Sequence, residues 1–482
     1  MIRLAAPVGL DDIERFGLDV LIDQSRLLLV EDAAADVVMV SGVSGASSAQ
    51  ERRTVAQHWA RGERFLLGDG TVSISSELLR AIGSAACALT EQQSGEADRH
   101  GRVPSTENEL FAEGVAREPL VTRYAILLRQ AVIEVAGRRP IALLQPWPNR
   151  HRWAAAITHD LDVVEWWGAF TSLRLAELAS KARWREIALV IATLPTTLAR
   201  NPVLAGLRRL LAAESEASIS STWFLLCGDP SIASARRGDL TYRPDSSLAR
   251  RAFADIGAGG HEIGLHGSFD TMLSPTEFAR QRARLAALGG SSVRGVRQHY
   301  LRMRPGETQR AMRAAGFTYD ATFGYPDASG FRLGSADIVP YHDAADGTAS
   351  DFDCVPLVWM DRTLSKYQGV EDPERWIEDA MQLARVCAEV EGLWVGLWHP
   401  NLSTSLGYPG AEQAYQSLLG SLQAERPYIA TLDAIVGWRR QRRAARARAV
   451  DATGQAIPFA SSTDPLPALE SAIGVPVLWA TP

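Results

Sequence analysis

The chain has 482 residues, of which 46% are hydrophobic and 22% are charged, and its length corresponds to about three typical domains. This composition excludes a mostly disordered chain, a collagen-like repeat and a small disulfide scaffold. Its 50 basic and 56 acidic residues give a net charge of −6. The chain therefore has no overall positive field to hold a phosphate backbone, and nucleic acid is not an expected partner.

The N-terminal segment and the cysteines indicate the compartment. Residues 1–16 contain no apolar run long enough for a secretory signal, and no stretch reaches the roughly 18 apolar residues of a membrane span. The four cysteines are far apart and form no CxxC pair, so we expect reduced, partly buried thiols rather than a zinc knuckle or a redox motif. We predict a cytoplasmic protein without a membrane span. The sequence leaves its oligomeric state open.

The first 145 residues predict an N-terminal α/β accessory domain. Apolar runs predict strands at 27–32 and 35–42, and apolar residues at helical spacing predict helices at 48–62 and 119–137. The segment 91–110 is polar, charged and interrupted by Gly and Pro, which indicates an exposed loop. The Pro-rich sequence PWPNRHRW (146–153) marks a junction, and we place the first domain boundary there.

After this junction, strand and helix patterns alternate up to residue 440. AAAITHDLD (154–162) is an apolar run that ends in acidic residues, as expected of a buried parallel strand whose C-terminal end faces a site. Further strands are predicted at 218–228, 259–267, 292–299, 351–359 and 392–400, and helices at 274–290, 304–317 and 372–392. The alternation predicts a parallel α/β sheet or barrel over 146–440.

Two further segments complete the predicted organisation. Residues 165–217 are largely helical and rich in Leu, Ala and Arg, and we interpret them as an insertion on the sheet or barrel. The basic stretch WRRQRRAARAR (438–448) precedes a polar C-terminal tail, 441–482. We interpret the basic stretch as a solvated helix end rather than as a binding surface.

Two aspartates at the end of THDLD are the first candidate site residues. Asp160 and Asp162 are two positions apart, so their side chains lie on one face of the strand. Two carboxylates on one face repel each other and persist most readily around a cation or with one of them protonated. The pair can therefore supply a metal ligand and a general base. A structural hydrogen-bonding role for one aspartate is the alternative.

The segment GGHEIGLHGSFD (259–270) contributes imidazoles and a carboxylate. A neutral imidazole at a strand end, such as His266, is a good ligand for zinc or another divalent ion. Asp270, four residues later, can add a second ligand if the chain turns there. The alternatives are a turn cap for Asp270 and a structural role for each histidine, including His261.

Two more strand ends carry residues suited to acid–base chemistry. Arg297 and His299 share one face of an extended segment, and a guanidinium beside a carboxylate base fixes its orientation and keeps it ionised. A surface arginine is the alternative. His399 ends the most apolar predicted strand, GLWVGLWHP, where buried walls and an exposed tip favour a tuned acid or base.

Local signatures of several enzyme classes are missing from the sequence. It contains no GxSxG elbow, P-loop, HExxH or GxGxxG-plus-acid arrangement. The ordered motifs THDLD, GHEIGLHGSFD, GVRQHYLRM and WHPN instead resemble the polysaccharide deacetylase family, the NodB-homology domain of the carbohydrate esterases, over about 150–440. The resemblance is closest to the bacterial branch with an extra N-terminal region. It implies an irregular (β/α) barrel and the removal of N- or O-acetyl groups from sugars with a divalent metal.

The resemblance also implies roles for individual residues. Asp160 matches the family's general base, His399 its general acid and Arg297 the arginine that orients the base. Asp162 most nearly matches the metal-binding aspartate, although Leu161 separates two aspartates that are usually adjacent, and His266 matches the first metal-binding histidine.

The third metal ligand is where the sequence departs from the family pattern. The motif position of the family's second metal-binding histidine is occupied here by Asp270. An Asp/His/Asp set is a harder set of ligands and accepts manganese or magnesium as well as zinc. His299 or His261 can take this place instead. We otherwise expect His299, Asp320 and Trp398 to contact substrate: Asp320 lies near the fourth motif, and an indole face stacks well on a sugar ring.

The predicted function is metal-dependent hydrolysis of an acetyl group from an acetylated sugar or glycan intermediate. Activity should require an ionised Asp160 and a charged His399, which would give a bell-shaped pH–rate profile. Two alternatives stay open. One is a non-catalytic carbohydrate-binding or scaffold protein on the same barrel, and the other is a hydrolase of a non-sugar amide C–N bond.

Overall fold

The computed structural model describes residues 2–4, 9–28, 37–43, 53–137, 141–165, 167–232, 241–289, 292–343, 345–448 and 469–471. Up to residue 145 its helices and strands are, in chain order, β1 (Ile2–Leu4), α1 (Asp12–Ser25), β2 (Val37–Val43), α2 (Val55–Ala60), β3 (Leu66–Gly68), β4 (Thr71–Ser75), α3 (Ser76–Ala86), α4 (Leu89–Gln92), α5 (Glu109–Ala112), α6 (Leu120–Ala136) and β5 (Ala142–Leu144).

The N-terminal region contains a small sheet covered by helices. Its strands lie in the order β1, β2, β4, β3 and are parallel except for the β3–β4 pair. Helix α1 begins at a capping box in which Asp11 and Glu14 satisfy each other's backbone N–H groups. Among the described residues, the strand expected at 35–42 is found as β2 and the helices expected at 48–62 and 119–137 as α2 and α6; residues 35–36 and 48–52 lie outside the described residues. Residues 29–32 of the other expected strand lie outside the described residues.

The second region begins at the predicted junction. Its elements are β6 (Ala154–Leu161), α7 (Trp167–Ser180), α8 (Trp184–Ala199), α9 (Pro202–Glu216), β7 (Thr222–Leu226), α10 (Ser247–Ala258), β8 (Glu262–Gly267), α11 (Pro275–Gly289), β9 (Gly295–Gln298), α12 (Glu307–Ala314), β10 (Tyr319–Asp320), β11 (Val339–Asp343), β12 (Gly347–Cys354), β13 (Trp359–Met360), α13 (Pro373–Glu389), β14 (Leu393–Leu397), α14 (Ala411–Ala424), β15 (Tyr428–Ile429), α15 (Leu432–Arg448) and β16 (Leu469–Ser471). Strand β16 pairs with β5.

One large sheet organises this region. Its strands follow the order β11, β12, β10, β9, β8, β7, β6, β14, β13, and β15 also pairs with β6. All pairs are parallel except β11–β12 at the edge. All eight residues of β6 are buried, as expected of a strand covered on both faces. The predicted α/β class with a parallel sheet is confirmed. Among the described strands the sheet is an open path rather than a closed barrel.

The predicted insertion consists of three helices. Helix α9 turns its apolar face inward and begins after an Asn201 side-chain cap, with Pro202 in its first turn. Helix α8 is exposed over much of its length, and Trp184 and Leu198 are 66% and 75% exposed. Within the described ranges no single helix is both long and apolar enough to cross a membrane. Helices α8 and α9 reach that length and composition only together, with a bend of 90° between them.

Two polar segments are more buried than the sequence indicates. The segment 91–110 is not simply an exposed loop, because Arg102, Val103 and Asn108 are buried. The basic stretch 438–448 is not a solvated helix end. Arg439 is fully buried in α15, and its guanidinium lies 2.9 Å from Asp23 Oδ2 and 2.7 Å from Asp337 Oδ1. Most of the tail beyond residue 448 lies outside the described residues.

The core continues across the predicted boundary at residue 145. One hydrophobic cluster includes residues from Leu10 to Leu422, and the fully buried guanidinium of Arg332 in the second region pairs with Glu91 of the first. The four cysteines are buried and free, as predicted. The two regions therefore share one core, and the division into separate domains stays a prediction.

Candidate active site

The candidate active site lies where the C-terminal ends of β6, β8, β9 and β14 meet. A cleft of about 270 Å³ opens there, and Asp160, Asp162, His266, His299 and His399 all line it. Parallel pairing brings the ends of neighbouring strands to one edge of the sheet, with Leu226 opposite His266 and His266 opposite Arg297. This register is why residues far apart in the sequence converge.

A fully buried arginine fixes the orientation of Asp160. The Nη1 atom of Arg297 donates to Asp160 Oδ1 at 3.0 Å and to Thr158 Oγ1 at 2.9 Å, and its Nε donates to the carbonyl of Ala321 at 2.9 Å. The Arg297 guanidinium also lies 4.4 Å from the ring centroid of Phe224. One carboxylate oxygen of Asp160 is thus held by the arginine, while Oδ2 is 3.7 Å from His266 Nε2. Asp160 is oriented as a general base requires.

Asp162, His266 and His299 form a group of potential metal ligands. One ligand atom from each lies within 4.8 Å of the others. Asp162 Oδ1 is 3.2 Å from His266 Nε2 and 3.6 Å from His299 Nε2. Burial raises the pKa of Asp162, but the neighbouring imidazoles, His266 first, lower it well below its usual range. The group therefore keeps an ionised carboxylate between two nitrogen donors.

These three residues suit a divalent transition-metal ion. Asp162 Oδ1 is buried and accepts no hydrogen bond among the described residues, so this oxygen is available to coordinate a cation. Ligand atoms around a tetrahedral ion with bonds of about 2.1 Å are about 3.4 Å apart, close to the separations measured here. The carbonyl of Arg297 lies 3.0 Å from His266 Nδ1. A proton on that nitrogen leaves Nε2 free to bind a metal.

His399 forms a dyad with Asp361. Its Nδ1 lies 2.6 Å from Asp361 Oδ1, and its backbone N–H donates to Oδ2 at 2.6 Å. Burial alone lowers the pKa of His399, but the charge and the hydrogen bond of Asp361 outweigh burial and raise it above its ordinary value. His399 Nε2 faces the ligand group, 3.6 Å from Asp162 Oδ2. This imidazole can hold a proton and present it to the cleft.

Three predicted site residues lie apart from this constellation. Asp270 is exposed in the turn after β8 and is not part of the ligand group. Asp320 is fully buried and accepts hydrogen bonds from Gln309 Nε2 and the Thr322 backbone N–H, both at 2.8 Å. Trp398 is also buried, with its ring 6.0 Å from that of Trp359. None of the three lines the cleft. His299, expected to bind substrate, instead completes the ligand group.

Sequence reasoning missed two residues of the site. Asp361, which holds His399, could have been found, because it follows the apolar run VPLVWM, much as Asp160 lies at the end of the apolar strand β6. Arg102 could not have been found in this way, because it comes from the N-terminal region. Its Nη1 donates to the carbonyl of Tyr300, and the residue lines the cleft. The first 145 residues thus contribute a side chain to the candidate site.

A buried polar network supports the strand ends from behind. His159, which precedes Asp160, has an oxygen acceptor beside each ring nitrogen: Nδ1 is 2.7 Å from the Trp398 carbonyl and Nε2 is 2.8 Å from Glu214 Oε1. Tyr415 also donates to Glu214, at 2.6 Å. The network ties α9 of the insertion to the strand ends that carry Asp160 and His399.

Comparison with known proteins gives similar folds only. No protein family profile and no curated protein matches the chain. Among solved structures, a protein named as a polysaccharide deacetylase from Mycobacterium smegmatis is 21% identical with a TM-score of 0.42, and the match covers 62% of this chain and 93% of that one. One so named from Pseudomonas aeruginosa PAO1 is 16% identical with a TM-score of 0.40, covering 64% and 97%. A CE4 family pseudoenzyme from Bacillus anthracis is 12% identical with a TM-score of 0.32, covering 63% and 71%.

All three TM-scores are below 0.5 and all three identities are at or below 21%. The function is therefore argued from the side chains of the site itself.

Proposed function

We propose that the protein is a metal-dependent hydrolase that removes an acetyl group from an acetylated sugar. The proposal rests on one observation: a candidate general base and a candidate general acid both lie next to one group of potential metal ligands. Asp160, held by Arg297, lies 3.7 Å from His266 of the ligand group, and His399, held by Asp361, lies 3.6 Å from Asp162 of the same group. A site for acyl hydrolysis needs both a base for water and an acid for the leaving group.

The ligand set favours zinc or a similar first-row ion. Asp162, His266 and His299 supply one oxygen and two nitrogen atoms, a set that suits zinc better than the Asp/His/Asp set expected from the sequence. When bound, such an ion supplies Lewis-acid polarisation of a carbonyl oxygen and of a water molecule. We assign the third ligand position to His299 in place of Asp270.

The protein's own residues would carry the proton transfers. Asp160 accepts a proton from the attacking water at Oδ2, because its other oxygen is held by Arg297. His399 donates from Nε2 to the leaving nitrogen or oxygen, while Asp361 holds the Nδ1 proton and stabilises the charged ring. The cleft walls restrict water, since Val163, Phe170 and Met360 line it.

The acetylated sugar is the substrate that the motif resemblance implies. Tyrosine side chains line the cleft at Tyr300, Tyr367 and Tyr408, and a tyrosine combines an apolar ring with a polar hydroxyl, which suits contact with a sugar. They take the place that the sequence assigned to Trp398.

Metal analysis and acetate release test the proposal together. The purified protein should contain about one equivalent of zinc, manganese or a similar ion, as expected for one site with three protein ligands. It should release acetate from acetylated chitooligosaccharides. Asp160→Asn should retain the metal and lose acetate release by about 10²- to 10⁴-fold. Absence of both metal and acetate release would favour the non-catalytic carbohydrate-binding alternative.

A matched control separates loss of chemistry from loss of folding. Asp255→Asn removes a carboxylate that pairs with Arg208 on the surface, so it makes the same chemical change outside the cleft. Its acetate release should equal that of the wild type. If Asp160→Asn has the same activity as this control, Asp160 is not the base.

A further inference from the structure

We propose that the cleft contains an anion subsite, formed around Arg362 and Lys366, that binds a phosphate or carboxylate group of the substrate. Four cationic side chains line the cleft beside the catalytic groups: Arg102, Arg174, Arg362 and Lys366. The reaction proposed above needs none of them. Three carboxylates also line the cleft, Asp160, Asp162 and Glu177, so the pairing of each cation decides whether positive charge is left for a ligand.

The four cations are arranged around two tyrosines. The Arg174 and Arg362 guanidinium carbons lie 4.1 Å and 5.2 Å from the ring centroid of Tyr408. Arg362 Nη1 also donates to the Tyr408 hydroxyl.

The second tyrosine has a similar environment. The Arg102 guanidinium and the Lys366 ammonium are each 5.9 Å from the ring centroid of Tyr367. Each of these two cleft-lining rings thus lies close to two of the cations.

Two of the cations lack a carboxylate partner. Arg102 pairs with Asp98 at 2.6 Å, and Arg174 pairs with Glu177 at 2.7 Å. No carboxylate oxygen of the described residues lies within 4 Å of the Arg362 or Lys366 charges. Burial and then the charges of Arg362 and Arg99 lower the pKa of Lys366, as expected where positive charge is uncompensated.

Unpartnered polar atoms lie in the same part of the cleft. A single π-helical turn, Thr363–Tyr367, follows β13 and carries Ser365 and Lys366. The Ser365 hydroxyl is buried and has no hydrogen-bond partner among the described residues, and the same holds for Arg174 Nε. Both residues line the cleft. A buried donor without an acceptor points to a ligand that supplies one.

The ligand class follows from these donors. A guanidinium, an ammonium and a hydroxyl are all donors, so the complementary group is an oxyanion with several acceptor oxygens, such as a phosphate or a carboxylate. The assignment of this group to the acetylated substrate rests on the proposed function. Anion binding itself does not, and it can be measured without catalysis.

The chain offers a direct test because it has only two lysines, Lys181 and Lys366. Lys181 lies at the end of α7 outside the cleft lining and pairs with Glu177 at 3.1 Å. Full-length protein is acetylated with a limiting amine reagent, and modification of each lysine is followed by peptide mass spectrometry. Inorganic phosphate should slow modification of Lys366 by about fivefold or more at saturation, because a bound anion covers the amine. Lys181 should be unaffected.

Three comparisons complete the test. Chloride at equal ionic strength should not protect Lys366, which separates binding from screening. Glucuronate and glucose 1-phosphate, compared at equal concentration, distinguish a carboxylate from a phosphate ligand. Arg362→Gln should abolish the protection by phosphate, and Ser365→Ala should weaken phosphate binding by about threefold, as one hydrogen bond predicts. The milder variant keeps the test valid if Arg362→Gln does not fold.

A last variant separates this inference from the proposed function. Asp162→Asn removes a ligand-group residue, so phosphate held only by a metal would no longer protect Lys366 in that variant. Persistent protection supports the anion subsite whether or not the protein is a deacetylase. Equal protection of both lysines, no protection, or protection that is unchanged in Arg362→Gln would overturn the inference.

Discussion

The dyad of His399 and Asp361 gives the sharpest functional prediction. Asp361 is fully buried and accepts two hydrogen bonds from His399, one from Nδ1 and one from the backbone N–H, each at 2.6 Å. In Asp361→Asn, the amide oxygen can accept from the backbone N–H, but the amide nitrogen then faces Nδ1. The ring must give up its Nδ1 proton to accept that hydrogen bond, so it becomes neutral.

The expected decrease in rate follows from the loss of His399 as a general acid. Without the carboxylate, nothing offsets the lowering of the His399 pKa by burial, so this pKa should fall below its ordinary value. Removing a positioned general acid costs about 10²- to 10⁴-fold in rate, or about 2.7 to 5.4 kcal/mol at about 1.36 kcal/mol for each factor of ten. The loss should appear in kcat, with KM nearly unchanged, because Asp361 does not contact substrate.

The assay is acetate release at saturating substrate across a range of pH. Asp351→Asn is the control, because Asp351 is exposed and pairs with Arg313 at 2.9 Å outside the cleft. It should retain the wild-type kcat. A folded Asp361→Asn protein whose kcat stays within about threefold of the wild type would refute the role of the dyad, since a general acid contributes far more than that.

Other predictions concern metal, pH and stability. His299→Ala should reduce bound metal below half an equivalent while Asp270→Ala leaves it unchanged, as measured by elemental analysis; the reverse result would restore the ligand set expected from the sequence. Because the folded-state pKa of His399 is raised, its stabilisation is complete below its unfolded pKa of about 6.5 and is lost as pH rises through the folded pKa. In chelator, the free energy of unfolding should therefore fall with rising pH in the wild type and less in His399→Gln; identical slopes would contradict this. Glu91→Gln should lower the free energy of unfolding by about 3 to 5 kcal/mol, because it leaves the buried Arg332 cation uncompensated; urea denaturation measures this, and a loss below about 1 kcal/mol, as for a surface pair, would contradict it.

Strand ends were the part of the site that the sequence could predict. Four site residues follow or end an apolar run: Asp160, Asp162, His266 and His399. Parallel strand pairing brings such positions together independently of the loop conformations. Their convergence on one cleft therefore required only the correct strand assignment.

Residues outside the strands could not be placed in this way. Asp270 comes three residues after β8 ends, and the turn there carries it to the surface. The expected strand 351–359 is two elements, β12 and β13, and only the second leads to Asp361. Trp398 follows β14 but its ring packs against Trp359 and Tyr415 in the core. Side-chain direction at a strand end depends on neighbouring elements that periodicity does not report.

The shared core also limits how the chain can be divided into fragments that fold. A fragment that begins near residue 146 would lose Asp23 and Glu91, so the buried Arg332 would be left without Glu91, and the buried Arg439 would keep only Asp337 of its two carboxylate partners. It would also lose Arg102 from the cleft. The N-terminal region is therefore not an exchangeable module: a chimera that replaced it would need to supply equivalent carboxylates as well as an apolar surface. The lining of the cleft and the buried ion pairs both depend on residues from either side of the junction.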